Sequence, residues 1–256
     1  MASVALELAG ARIDLHVAGS PPRLFETRYG AFVRSSGAAR WRFELHPGSL
    51  PPGERMTGRV VVRDEVLRLE GCERHAFLDP VSGQGEALLD PHLFVLGALV
   101  RAAMALDVAH RGGCLLHAAA LVVDGAAHVA PGRSGAGKST LAGLAGDVLA
   151  DEVCAVVPGG DGFSVHGTPW WRGRPGAAPL AAIWTLAWDA ERAEVLPAGG
   201  ALRHLCTNMV VPGVGRAERT GFELCARVAT AVPFGRLSFR PHTDVDALLR
   251  RARLAA

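Results

Sequence analysis

The chain has 256 residues, 49% of them hydrophobic, which is enough apolar material for a sizeable folded core. Its 27 Lys and Arg residues nearly balance its 25 Asp and Glu residues, and the net charge of +2 argues against nucleic acid or a membrane surface as a partner. The N-terminal residues lack a signal-peptide pattern, and the five scattered cysteines lack metal-ligand spacing. We therefore expect a folded, cytoplasmic protein with reduced thiols.

The N-terminal third carries short alternating segments separated by turns rich in Gly and Pro. This pattern is typical of strands, and the close spacing predicts antiparallel hairpins. The predicted strands are Ser3–Leu8, Ala11–Val17, Ala39–Leu45 and Gly58–Val66.

A helical period follows from Asp90, which is placed to cap the helix, with Pro91 at the first helical position. The apolar window His92–Ala109 is the most hydrophobic helical stretch of the chain. It is interrupted by Arg101 and Asp107 and is too short to cross a bilayer comfortably. We interpret it as a helix packed in the protein core.

An apolar run over Leu115–Val123 then ends at Asp124-Gly125, a strong signal for a two-residue hairpin turn. A short strand, Ala126–Ala130, follows this turn. The strand should therefore have an antiparallel partner immediately before it in the chain. Common doubly wound nucleotide-binding folds instead continue through crossover helices.

The most informative motif of the chain is G-R-S-G-A-G-K-S, a full match to the phosphate-binding loop pattern. A strand precedes it, and the helical segment Thr140–Ala145 follows, as the motif requires. In such a loop the backbone N–H groups surround a polyphosphate, a lysine reaches the β- and γ-phosphates, and a hydroxyl holds Mg²⁺. The sequence thus predicts ATP and Mg²⁺ as cofactors, with binding residues Gly132, Arg133, Ser134, Gly135, Ala136, Gly137, Lys138, Ser139 and Thr140.

Phosphoryl transfer also needs a carboxylate near the phosphates. Asp151 and Glu152 follow Asp147–Ala150, a short predicted strand after the loop helix, so they are expected at the end of that strand. The alternative is that they are two surface acids. His117, in an apolar strand, is either a core residue or a functional one, and His128 is expected to be structural.

Several segments, taken in order, resemble the HPr kinase/phosphorylase family, and more closely its small bacterial relatives. That family has a phosphoenolpyruvate-carboxykinase-like fold. The resemblance covers roughly residues 112–190, under a third of the chain. Its segments are Leu116–Ala119, the phosphate-binding loop, Leu149–Val153, His166–Trp170 and Ala178–Ile183.

The resemblance implies catalytic roles for Lys138, His117 and Asp151, the last acting as base toward an acceptor hydroxyl. It implies that Glu152, with Ser139 and Asp151, assists the metal. This chain departs from the family at Trp170–Arg174, where an acid is expected and the residues are W-W-R-G-R. Arg172 or Arg174 stabilises transferred charge or lies exposed in a loop, and the tryptophans stack on adenine or cover a core edge.

We predict an α/β protein with a mixed sheet of phosphoenolpyruvate-carboxykinase/HPr kinase type. A β-rich region over residues 1–88 precedes the phosphate-loop domain over residues 89–256, which should end in an edge strand within 232–239 and a helix from Asp244. The expected function is ATP-dependent phosphorylation of a hydroxyl on a peptide, small protein or small molecule. The alternative is an ATP-binding accessory or sensor protein without transfer. A motor ATPase and a carboxykinase are disfavoured. Because HPr kinases assemble as homo-oligomers, the resemblance leaves open whether this chain does so too.

Overall fold

The computed structural model describes residues 2–20, 23–35, 37–48, 59–71, 76–160, 162–213 and 215–253. The chain divides into two compact units, Met1–His110 with Val211–Glu218, and Arg111–Val210 with Arg219–Ala256. The domain division at residues 88 and 89 stays a prediction. The first compact unit extends through His110 and includes the helix Phe94–His110, which packs on strands of that unit.

In the described part of the first unit, seven strands form one sheet in the order β1-β2-β3-β7-β6-β5-β4. Burial alternates along these strands, so one face of the sheet carries the core and the other does not. The strands are β1 (Ala2–Leu8), β2 (Ala11–Val17), β3 (Trp41–Pro47), β4 (Val60–Arg63), β5 (Val66–Leu69), β6 (Ala76–Leu78) and β7 (Gln84–Leu89).

The prediction of antiparallel hairpins is confirmed for β1–β2 and wrong for β3. Strand β3 pairs in parallel with β2, to which it is connected through a helix, α1 (Arg23–Tyr29), and it also pairs in parallel with β7. The strand predicted over Gly58–Val66 is interrupted by a turn at Asp64 and Glu65, both in the left-handed region at φ 52° and 62°. Its first residue, Gly58, lies outside the described residues.

Helix α2 (Phe94–His110) begins four residues after Asp90 rather than at Pro91. The Asp90 carboxylate accepts hydrogen bonds from the backbone N–H groups of His92 and Val95, both at 3.0 Å, and Leu93 adopts φ 55°. Asp90 therefore caps a turn that leads into the helix. Most of α2 is buried, as expected for a core helix. None of the helices described by the structure is long and apolar enough to cross a membrane.

The second unit holds the other sheet, which contains ten strands among its described residues. Eight of them follow the order β11-β9-β10-β14-β13-β12-β8-β16, and β17 joins β14 to β15. The strands are β8 (Cys114–Leu116), β9 (Ala118–Val123), β10 (Ala126–Pro131), β11 (Val148–Ala150), β12 (Cys154–Gly159), β13 (Gly162–His166), β14 (Ala177–Ala187), β15 (Arg192–Val195), β16 (Met209–Val210) and β17 (Phe234–Ser238).

The hairpin predicted at Asp124-Gly125 is confirmed: β9 and β10 pair antiparallel, and the two turn residues have φ 51° and 77°. The expected late edge strand is wrong in its position. Strand β17 lies between β14 and β15, because its parallel pairing with β14 leaves its other edge to accept β15.

Helices cover both faces of the second sheet, and its strands β8, β9 and β10 are therefore buried on both faces. One core cluster joins the sheet to α4 (Ala201–Cys206) and α5 (Gly215–Ala231). The other joins it to α3 (Lys138–Leu144) and α6 (Val245–Arg253). The described chain is thus a mixed α/β protein with two mixed sheets. This agrees with the predicted α/β class.

Candidate functional site

Sheet topology brings the predicted site residues to one edge of the second sheet. Strands β10 and β11 are both antiparallel to β9, so they run in the same direction and their C-terminal ends meet at the edge where β9 begins. The loop Gly132–Ser139 follows β10, Asp151 and Glu152 follow β11, and His117 immediately precedes β9. Residues that are far apart in the chain therefore lie close together, at the ends of three adjacent strands.

The predicted phosphate-binding loop is a tight turn that leads into α3. Gly135 and Gly137 have φ 81° and 101°, a region that glycine adopts without strain. The N–H of Ala136 donates to the carbonyl of Arg133 at 3.1 Å and closes the turn. A Cβ on Gly137 would lie 2.4 Å from a ring carbon of Trp188, so only glycine fits at this position.

Lys138, the first residue of α3, turns its side chain back over the loop. Its Nζ donates to the carbonyl oxygens of Gly132 at 2.7 Å and Arg133 at 3.0 Å, and the residue is buried. Burial lowers the pKa of Lys138, and the charges of Glu152 and Asp151 oppose that shift. The loop thus holds a cation beside the two acids.

Asp151 is buried at the end of β11, with 3% of its surface exposed, so it is not a surface acid. Its Oδ2 lies 3.9 Å from Nε of Arg172. Its Oδ1 is buried and accepts no hydrogen bond from the residues that the structure describes. A buried carboxylate oxygen without a partner is costly for the fold, which makes Asp151 a strong candidate for binding a ligand group.

Glu152, next in the chain, is tied to the same edge by its backbone and its side chain. Its carbonyl accepts a hydrogen bond from the N–H of Ala118 at 3.0 Å, and its Oε2 accepts one from the indole Nε1 of Trp171 at 2.8 Å. Trp171 is 74% exposed and has φ 56°, an uncommon backbone conformation for a bulky residue.

The loop that carries Trp171 and Arg172 is fastened to β11. The carbonyl of Leu149 accepts hydrogen bonds from the N–H groups of Thr168 and Arg174, and the Thr168 hydroxyl donates to the carbonyl of Val153. Arg174 pairs with Asp147 through two hydrogen bonds of 2.6 Å. The sequence analysis considered both Arg172 and Arg174 for charge stabilisation. In the structure Arg174 anchors the loop to Asp147, and Arg172 lies beside Asp151.

The two histidines differ in their positions. His117 is half-buried and lines the cavity at the site, and its carbonyl accepts a hydrogen bond from the N–H of Gly132 at 3.0 Å. His128 is buried in β10, where its Nδ1 accepts a hydrogen bond from the indole of Trp184 at 3.1 Å. The structure thus places His117 at the site and His128 in the core.

The cavity at the site has a volume of about 490 Å³, and most residues of the glycine-rich loop line it together with His117, Asp151 and Glu152. Among the predicted loop residues, Gly132, Arg133 and Ala136 do not line it, although two of them hold Lys138 through their carbonyls. Trp188 does line it, and the sequence analysis did not single it out. The lining residues are His117, Ser134, Gly135, Gly137, Lys138, Ser139, Thr140, Asp151, Glu152, Trp171 and Trp188.

The oxygen atoms at this cavity suit a magnesium ion. Ser139, Asp151 and Glu152 all line it and offer the hard oxygen ligands that Mg²⁺ prefers. Within the described ranges, no group of three or more His, Cys, Asp and Glu side chains is arranged to hold a metal ion. Ser139, Asp151 and Glu152 fit a metal that takes its other ligands from phosphates and water.

No protein-family model matches this chain, and a comparison with curated proteins finds no match.

Proposed function

We propose that the protein is an ATP-dependent kinase that transfers the γ-phosphate to a hydroxyl group, with a phosphate-loop fold of the HPr kinase type. One observation carries the proposal: Asp151 is buried, its Oδ1 accepts no hydrogen bond from the described part of the chain, and it lines the same cavity as the glycine-rich loop and Lys138. The hairpin immediately before the loop also supports this fold type. A cytoplasmic location is the corresponding expectation, and the oligomeric state stays open.

On the donor side, the loop around Gly135 and Gly137 would bind the phosphates through its backbone N–H groups. The Lys138 ammonium would exchange its two carbonyl partners for phosphate oxygens, a stronger charge-assisted interaction. Ser139, Asp151 and Glu152 would hold Mg²⁺, which neutralises charge on the β- and γ-phosphates when bound.

On the acceptor side, Asp151 Oδ1 would accept the proton of the acceptor hydroxyl while the acceptor oxygen forms a bond to the γ-phosphorus. The bond from that phosphorus to the β–γ bridging oxygen breaks, and ADP leaves. His117 and Arg172, at or beside the cavity, would stabilise charge on the transferred group. The acceptor is a serine of a peptide or small protein, or a small molecule.

A second function, an ATP-binding accessory or sensor protein without transfer, is supported by one specific observation. Two consecutive residues of one loop contact both acids, Trp171 on Glu152 and Arg172 near Asp151. If these contacts persist when ATP is bound, the acids are not available to an acceptor.

The test compares the wild-type protein with Lys138→Ala and Asp151→Asn. Each is incubated with Mg²⁺ and γ-labelled ATP, together with a panel of serine-containing peptides and small hydroxyl compounds, and ATP binding is measured by calorimetry. We expect Lys138→Ala to lose most ATP affinity. Asp151→Asn should keep ATP affinity and lose transfer, because it keeps the side-chain shape and removes the base.

The two functions give different results in this test. Labelled product that requires both Lys138 and Asp151 supports the kinase. Tight ATP binding by the wild-type protein with no transfer to any acceptor favours the accessory protein. Normal transfer by Asp151→Asn would show that Asp151 is not the base, even if the protein is a kinase.

A further inference from the structure

Two exposed tryptophans line the cavity, and they contact different parts of it. Trp171 donates its indole N–H to Glu152, so it lies with the acid pair. Trp188 lies against the backbone of Gly137, at the start of α3, where a Cβ would be 2.4 Å from its ring. One indole therefore lies at the acid pair and the other at the phosphate-binding loop.

The indole of Trp188 is fixed by its neighbours and still partly exposed. It packs on Phe239 with a ring-centroid distance of 4.6 Å, and Phe239 is fully buried. Trp188 itself is 45% exposed, whereas Trp184 on the same stretch of chain is 3% exposed. Trp188 is thus not simply a core residue. Phe239 supports its indole ring, and part of the apolar surface of the ring is exposed at the cavity.

An exposed aromatic plane beside a phosphate-binding loop matches the two parts of a nucleotide. The loop recognises the polyphosphate, and the indole offers a flat surface on which a base can stack. Pyrophosphate or a longer inorganic polyphosphate has no group for this surface. We propose that Trp188 stacks on the base of the phosphate donor, which makes the donor a nucleoside triphosphate rather than an inorganic polyphosphate.

This assignment rests on the proposed phosphate-binding function, and its test separates the two. The full-length protein is titrated calorimetrically with ATP and with inorganic tripolyphosphate, in the presence of Mg²⁺. The variants are Trp188→Ala, Trp188→Phe and, as the matched control at the other exposed indole of the cavity, Trp171→Ala. Tripolyphosphate binding reports whether each variant keeps a folded phosphate loop.

We expect Trp188→Ala to weaken ATP binding roughly 10-fold to 100-fold, the range typical of a lost base–aromatic stack, and to leave tripolyphosphate affinity within about twofold. Trp188→Phe should keep most of the ATP affinity, because a phenyl ring also offers a flat surface. Trp171→Ala should not change the ratio of the ATP and tripolyphosphate affinities.

The other outcomes overturn the assignment. Equal weakening of ATP and tripolyphosphate by Trp188→Ala would show that Trp188 only supports the loop through Gly137. If only Trp171→Ala changed the ratio of the ATP and tripolyphosphate affinities, the base would be assigned to Trp171 and not to Trp188. Wild-type protein that binds tripolyphosphate as tightly as ATP would overturn the stacking role while leaving the phosphate site intact. Binding of neither ligand would overturn the phosphate site as well.

Discussion

Each unit buries an aspartate, and the two differ in how their carboxylates are satisfied. In the first unit, both oxygens of Asp90 accept hydrogen bonds from the backbone that leads into α2. In the second unit, Oδ1 of Asp151 is buried and accepts none from the described residues. Both residues are almost fully buried, at 1% and 3% exposure. Burial alone therefore does not separate the two aspartates, whereas the hydrogen bonding of their carboxylates within the described residues does.

We expect the largest loss of stability from a change in the loop that carries Arg172 and places it beside Asp151. A Cβ on Gly167 would lie 1.8 Å from the carbonyl oxygen of Arg174, a backbone atom that cannot move aside easily. We expect Gly167→Ala to lower the free energy of unfolding by about 3 kcal/mol, as overpacking in a close contact does. Denaturant unfolding measures this loss.

Gly162→Ala is the matched control, because a Cβ there meets no atom within 4 Å. A small effect of Gly167→Ala, similar to that of the control, would mean that the loop rearranges freely. The contacts of Trp171 and Arg172 with the acids would then not be fixed by the fold.

The second prediction concerns the satisfied aspartate. Asp90→Ala removes the acceptor for two backbone N–H groups, one of them buried, and should destabilise the protein by about 2 kcal/mol. Denaturant unfolding and hydrogen exchange of the amides of His92 and Val95 check it. Unchanged exchange at these two amides would contradict the capping role.

The third prediction has the opposite sign. Asp151→Asn replaces a buried carboxylate whose Oδ1 accepts no hydrogen bond from the residues described, and in the absence of ligands it should stabilise the protein by about 1 kcal/mol. The same unfolding measurement in the absence of nucleotide tests it. Clear destabilisation would show that Asp151 is structural in the way that Asp90 is, and the contrast between the two units would disappear.

The smallest expected effect is a pH dependence that belongs to the second unit. Burial, with a weaker contribution from Arg111, lowers the pKa of His166, and burial also lowers the pKa of His204. The folded state then binds fewer protons than the unfolded state below the ordinary histidine value of 6.5. Stability should therefore fall as the pH drops from above 6.5 through the folded-state pKa.

Unfolding curves measure this loss between about pH 7 and pH 5, the range in which histidine side chains ordinarily titrate. His166→Gln should reduce the slope of stability against pH, because the glutamine does not titrate. His242→Gln, at an exposed residue of the same unit, is the control. An identical slope in the wild-type protein and the His166 variant would contradict the prediction.

Local signals in the sequence predicted much of the second unit. The turn at Asp124-Gly125 needs left-handed backbone at both positions, which Asp and Gly tolerate, so the hairpin is encoded where it forms. The start of α3 and the strand before Asp151 follow equally from short-range patterns. The proximity of Asp151 to the loop, by contrast, depends on the order of β11, β9 and β10, and it was expected only by analogy with known folds.

The features that sequence analysis missed depend on pairing between distant segments. The parallel alignment of β2, β3 and β7 has no local signature, because these strands are separated in the chain by other elements. Trp188 reaches the loop only because β14 pairs in parallel with β10, the strand that leads into that loop. Nothing in the residues around position 188 indicates that contact.

Strand β14 has a consequence for any attempt to recombine this chain with another. Its first residues pair with β13, and its later residues pair with β10 and β17, so one continuous stretch fixes the alignment of three neighbours. Insertion of one residue within it would shift about half of these pairings and turn the alternate side chains to the opposite face. A grafted segment would have to contain Ala177 through Trp188 as one indivisible block, and length variation is best tolerated in the turns beyond it.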